Sequence, residues 1–185
     1  TVNGIYSGSP ASGAIFEKNL IYGLNAANTA ASINGIYVAG GTATYRNNMI
    51  GLGVSGNAAT VGMALNGINE QGGTDNFYHN SIYIGGAPTA GTSNSFAFQS
   101  IVTANTRAYQ NNIFVNKRSN SGSTGKHYAI RVGGTAANPA GLTSNGNILF
   151  ANGTGGFTGL FNAVDQATLA NWRTATGQDA NSFSE

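Results

Sequence analysis

The chain has 185 residues, enough for one domain, and Gly, Ala, Asn, Thr and Ser make up well over half of it. Only 8% of residues are charged and the net charge is +2, a balance that argues against a nucleic-acid partner or attraction to an anionic membrane. The absence of cysteine excludes a disulfide framework and a thiolate site, and no apolar run approaches the ~18 residues that a membrane insertion needs.

In chain order, the first strand signal is Gly4-Ile5-Tyr6, a small residue, a large apolar one and a polar or aromatic one. Phe16, Asn19 and Ile21 follow, the aromatic three before the asparagine and the aliphatic two after it. The set returns as Gly35-Ile36-Tyr37 with Tyr45, Asn48 and Ile50, then as Ala64-Leu65-Asn66 with Phe77, Asn80 and Ile82. Ala97-Phe98-Gln99 precedes Tyr109, Asn112 and Phe114; Ala129-Ile130-Arg131 precedes Ser144, Asn147 and Leu149, with serine in place of the aromatic. A period near 31 residues also suits helical repeats. However, the runs NGIYVAGG (34–41) and HNSIYIGG (79–86) alternate large residues and stop at glycine, as short strands do. The many Gly, Asn and Thr residues are costly inside helices. The fold class expected is all-β, a solenoid of about five coils.

Those inward apolar stacks, with the asparagine series Asn19, Asn48, Asn80, Asn112 and Asn147, resemble the right-handed parallel β-helix proteins of the pectate-lyase-like superfamily over about residues 2–152. The resemblance implies the handedness, an internal asparagine ladder at a tight turn and a secreted bacterial repeat protein. It implies little about activity, because the fold carries many functions.

If Ile5, Ile36, Leu65, Phe98 and Ile130 point inward, strand alternation turns Tyr6, Tyr37, Asn66, Gln99 and Arg131 outward. That column is the carbohydrate-binding candidate, since rings stack on sugar faces while amides and guanidinium serve hydroxyls or carboxylates. A second outward set flanks the aliphatics after each asparagine and is strongly apolar: Leu20, Tyr22, Met49, Tyr83, Ile113, Val115, Ile148 and Phe150. So apolar a stripe needs a cover. Low-complexity connections at 23–32, 51–60, 85–94 and 115–125 fall at one corner of each coil and read as loops.

Residues 1–163 read as coils and 164–185 as a helix with a tail that packs on or caps them. The helix is predicted over 165–177, with Asp165 as N-cap, Leu169 and Trp172 on one face and Gly177 as the stop. With GQDANS (177–182), this stretch resembles a piece found at the coil edges of secreted bacterial β-helix proteins. Thr1 enters just before a strand and Glu185 comes before an end-covering element is complete. The expectation is therefore a piece of a longer chain, whose remainder is one partner, with open coil ends that invite stacking.

Chemistry is sparse. Glu17 and Arg46 should meet on adjacent coils as a surface ion pair. Glu70, Asp75 and His79 form the one acid–base neighbourhood, with Lys18 or Arg46 below, and are weak catalytic candidates. His79 and His127 fall in different columns, which argues against zinc or any other metal. Lys117, Arg118 and Lys126 make a small basic group in the fourth loop. There is no G-x-S-x-G elbow or phosphate loop, and no cofactor is expected.

The reading is a non-enzymatic extracellular or cell-surface module, a stalk, adhesin segment or assembly unit. Its partners would be its parent chain, glycans, or its own copies through the apolar stripe and open ends. The alternative is part of a polysaccharide lyase or glycoside hydrolase, which would gather acids on one face.

Overall fold

A computed structural model describes residues 1–184; Glu185 lies outside the described residues, so its place in the predicted tail is not among them. The first coil comprises β1 (Val2–Ser7), β2 (Ala14–Glu17) and β3 (Leu20–Tyr22), and the second β4 (Ser32–Val38), β5 (Ala43–Arg46) and β6 (Met49–Leu52). A one-turn helix α1 (Gly56–Thr60) leads to the third, β7 (Ala64–Glu70), β8 (Asn76–Tyr78) and β9 (Ser81–Ile84). The fourth is β10 (Ser95–Ser100), β11 (Arg107–Gln110) and β12 (Ile113–Asn116); the fifth is β13 (His127–Val132), β14 (Leu142–Asn145) and β15 (Ile148–Ala151). The chain then runs through β16 (Gly156–Phe161), β17 (Val164–Gln166) and α2 (Leu169–Thr176).

Equivalent strands pair in parallel, giving sheet A (β1-β4-β7-β10-β13-β16), sheet B (β2-β5-β8-β11-β14) and sheet C (β3-β6-β9-β12-β15). The molecule is thus an all-β parallel solenoid of about five coils with a short C-terminal helix.

Each sheet sends alternate side chains into one shared core. In sheet B, Phe16, Tyr45 and Phe77 stack at centroid distances of 4.9 Å, the inter-strand spacing imposed on rings in one column. The stack breaks at Tyr109, tilted 62° from Phe77. The larger Phe98 replaces an isoleucine of sheet A there and wedges edge-on against Phe77 at 5.1 Å.

One repeat assignment is corrected by register. Ile36 pairs with Ile68, not Leu65, and Ile68 pairs with Phe98. The third member is therefore Gly67-Ile68-Asn69, three residues beyond Ala64-Leu65-Asn66. Leu65 is also buried, paired with Ile33. Strand β7 carries two small–large–amide triplets, and only pairing with its neighbours selects between them.

The C-terminal helix starts later than predicted. Asn162 and Ala163, both at positive φ, make a two-residue hairpin that returns Asp165 along β16 as part of antiparallel β17. Thr168, not Asp165, is the N-cap, accepting from the Asn171 amide at 3.1 Å, and Gly177 closes the helix at φ 66°. Trp172 is fully buried on Phe161 and over Gly159, where the missing side chain leaves room for its ring. Thus α2 covers the end of the core and leaves the outer stripe of sheet C open. Beyond it the chain re-enters the stack, where Phe183 bridges to Ile148.

Candidate functional site

The outer face of sheet A carries the carbohydrate candidates. Tyr6 stacks on Tyr37 at 5.5 Å, nearly parallel, and is 62% exposed. The column continues through Asn69, Gln99 and Arg131; Asn66 lies in the neighbouring column between Asn34 and Phe96. The amides here are committed to each other. Asn66 and Asn69 both donate to Asn34 Oδ1, at 2.8 and 3.0 Å, and Gln99 donates to Asn66 and Asn69 at 3.1 and 3.0 Å. All four side chains are buried, so this second amide network ties coils together as the turn asparagines do.

Arg131 donates to Gln99 Oε1 at 3.3 Å and lies over the Phe96 ring. It borders an open cleft of about 450 Å3, shared with Asn94, Thr103, Thr135 and Asn162. Tyr6 and Arg131 stand four strands apart in the sheet.

The predicted acid–base neighbourhood divides. Glu70 ends β7 and Asp75 precedes β8, both buried at the corner between sheets A and B. His79 sits at the other end of β8 with φ 54°. It belongs to a turn column, Lys18, Asn47, His79, Asn111 and Gly146, each at positive φ immediately before a ladder asparagine. Lys18 and Arg46 lie at that corner as well, where Arg46 Nε meets Glu17 Oε2 at 2.7 Å across adjacent coils. The geometry therefore joins neither His79, Lys18 nor Arg46 to the two acids.

The buried corner holds its own polar set. Tyr109 donates to Glu70 Oε2 at 2.5 Å, Asp75 Oδ1 accepts the Ala43 amide at 2.8 Å, and Tyr45 donates to Ser7 at 2.6 Å. Arg107 is buried there and donates to the carbonyls of Asn105 and Ala140, both at 2.8 Å. Burial pushes the Glu70 carboxyl up to about 7, with the Asp75 charge adding to it, and raises Asp75 to about 6. An acid raised in the folded state stabilises fully below its unfolded value and loses that contribution as pH rises through the folded one. Glu70 alone should therefore remove about 3 kcal/mol between pH 4.5 and 8. Glu70→Gln, which still accepts from Tyr109, should melt close to the wild type at pH 4.5 and above it at pH 8. A constant difference in melting temperature across that range would contradict the buried carboxyl.

Arg118 is not part of a basic surface group. It is buried, and its guanidinium donates to the carbonyls of Ala58 at 2.6 Å, Gly85 at 3.2 Å and Val61. It thus locks α1 to the loops of the next two coils. Lys126 instead pairs with Asp165 at 2.5 Å. The corner connections stack in order through backbone bonds such as Gly62 N to Ala90 O at 2.8 Å and Thr124 N to Gly91 O at 3.0 Å.

Sequence reading did not find the relay around His127. Asn116 donates to Ser95 Oγ at 2.9 Å, Ser95 Oγ lies 2.9 Å from His127 Nδ1, and His127 Nε2 lies 3.0 Å from Asn120 Oδ1. Acceptor Asn120 assigns the proton to Nε2, so Ser95 donates to Nδ1. Burial, then the nearby Arg118 charge, push His127 down to about 4, keeping it neutral. Ser95 and His127 are buried with their hydrogen bonds in use, an arrangement suited to pinning the fourth loop onto sheet A. The only sequence signal was a histidine inside an alternating strand, where charge alone suggests nothing.

Among the described residues, no three of His, Asp or Glu gather to hold a metal. No protein-family model, curated protein or solved structure matches this chain.

Proposed function

We propose that the chain is a non-enzymatic structural module of an extracellular protein, a segment of stalk or adhesin, whose sheet A face meets carbohydrate. The observation that supports this is how the acids are committed. Glu17 is held in a surface ion pair, Glu70 and Asp75 are enclosed, Asp165 pairs with Lys126, and Asp179 ends the asparagine ladder. What faces solvent on sheet A is instead a flat tyrosine pair and, four coils on, a guanidinium beside an aromatic ring. Flat rings and guanidinium suit sugar faces and hydroxyls. The pectate-lyase-like superfamily and a bacterial, secreted origin belong to this reading through the sequence resemblance.

The test is incubation with a panel of neutral and acidic polysaccharides, read for retained protein and for new reducing ends. Retention on at least one polysaccharide without cleavage is expected, weakened at least tenfold in the Tyr6→Ala/Tyr37→Ala double variant by loss of the stacking pair (about 1.4 kcal/mol). New reducing ends that disappear in Glu70→Gln would reverse the reading in favour of a polysaccharide lyase or hydrolase.

A further inference from the structure

The outer face of sheet C carries most of the exposed large apolar side chains of the described residues. Seven of its side chains, from Leu20 at one end to Phe183 at the other, are 38% to 69% exposed. At ~200 Å2 for a large side chain, they present roughly 750 Å2, beyond the 300–600 Å2 of an ordinary monomer's largest patch. Two such faces together would bury about 1,500 Å2, the size of a standard stable interface. Among the described residues the face has no Asp, Glu, Arg or His, and Lys117 stands at its rim over Phe150.

Relief on the face narrows the choice of partner. Its outward residues form two columns along the solenoid: Leu20, Met49, Ser81, Ile113, Ile148, Phe183 and Tyr22, Gly51, Tyr83, Val115, Phe150. In the second column large and small residues alternate, which leaves hollows of about 330 and 610 Å3 on either side of Tyr83. Two copies laid face to face in the same direction would set each coil on itself with the columns exchanged, bringing Leu20 against Tyr22 and Ile148 against Phe150. A two-fold axis along the strands, between β9 and β12, sets Phe150 and Tyr83 of the second column opposite smaller residues instead. Phe150 then meets Gly51, Tyr83 meets Val115 and Ile113 meets Ser81, while Met49 faces Ile148 and Leu20 faces Phe183. Aligned sheets packing face to face about 10 Å apart interdigitate in this way, and an isologous contact of this kind closes as a dimer.

We propose that sheet C binds a second copy of this chain, antiparallel about that axis. This extends the structural-module reading, and its test reads mass rather than carbohydrate retention, so either can fail alone. Sedimentation of the 185-residue chain at ~50 µM should give twice the 18.8 kDa monomer mass. Tyr83→Lys and Val115→Glu, both outward positions, should each give monomers with melting temperatures near the wild type, because each buries an unpaired charge. Mixed in equal amounts they should form a dimer again, since Lys at 83 of one copy faces Glu at 115 of the other. A monomeric wild type, a dimer indifferent to Tyr83→Lys as stacking through the coil ends would be, or a mixture that stays monomeric would each overturn the proposal.

Discussion

Asn80→Ala should destabilise the chain by about 3–5 kcal/mol in urea unfolding, whereas Asn57→Ala should cost less than about 0.5 kcal/mol. Asn80 Nδ2 donates to the Tyr45 carbonyl at 2.9 Å and to Asn112 Oδ1 at 3.0 Å. Its Oδ1 accepts from the Asn48 amide at 3.1 Å and from Asn48 Nδ2 at 2.9 Å. The side chain is fully buried, so truncation removes four hydrogen bonds with no water to replace them, leaving Asn112 Oδ1 only the Asn80 amide and Asn48 Nδ2 only the Phe16 carbonyl. The pattern repeats from Asn19 to Asn147, each Nδ2 after the first also reaching the aromatic carbonyl of the preceding coil. It ends at Asp179, which accepts from Asn147, Ser144, Ser182 and Trp172. Because a solenoid coil touches only its neighbours, loss in the central coil uncouples the stack on both sides. Asn57, on exposed α1, makes one 3.2 Å bond to Ala26 O. Similar unfolding midpoints for the two variants would refute the ladder's energetic role.

Gly67→Ala should cost about 2–3 kcal/mol, and adding Ile82→Leu should recover part of it. A Cβ at Gly67 would overlap the Cγ2 methyl of Ile82. The same methyl lies 2.5 Å from a Cβ placed at Gly35, from Ile50, and 2.6 Å from one at Gly4, from Ile21. In the next two coils this position is Ala97 and Ala129, and the facing residues are Phe114 and Leu149, which carry no branch at Cβ. Glycine therefore accompanies isoleucine, and alanine accompanies phenylalanine or leucine, because one methyl fits in that space. Leucine at 82 moves the branch one carbon outward and frees room for the alanine. The carbonyl of Ala97 also crowds the new Cβ, so recovery should be partial. A double variant no more stable than Gly67→Ala alone would show that the carbonyl, not the methyl, sets the limit.

The ladder was legible because every coil makes the same turn and satisfies it with the same amide, so the requirement appears as a column. The carbohydrate face was only half legible. Tyr6 and Tyr37 are neighbours in space as their spacing implied, but Asn66 belongs to the adjacent column. Whether an amide faces solvent or another amide is not written in its own strand. The arginines were the largest surprise, since a charged residue in a polar loop reads as surface. Arg107 and Arg118 are enclosed because winding brings carbonyls from separate coils around each guanidinium.

By itself, the sequence determined the parallel coil, its period, the asparagine and aromatic columns and the apolar stripe of sheet C, since each follows from strand alternation repeated at a constant interval. Tertiary structure alone decided the register of β7, the start of α2 at Leu169, the enclosure of Glu70, Asp75, Arg107, Arg118 and His127, and the hollows on either side of Tyr83 on sheet C. Those features depend on which residues from coils about 30 positions apart come within a few ångströms, a distance that no local pattern encodes.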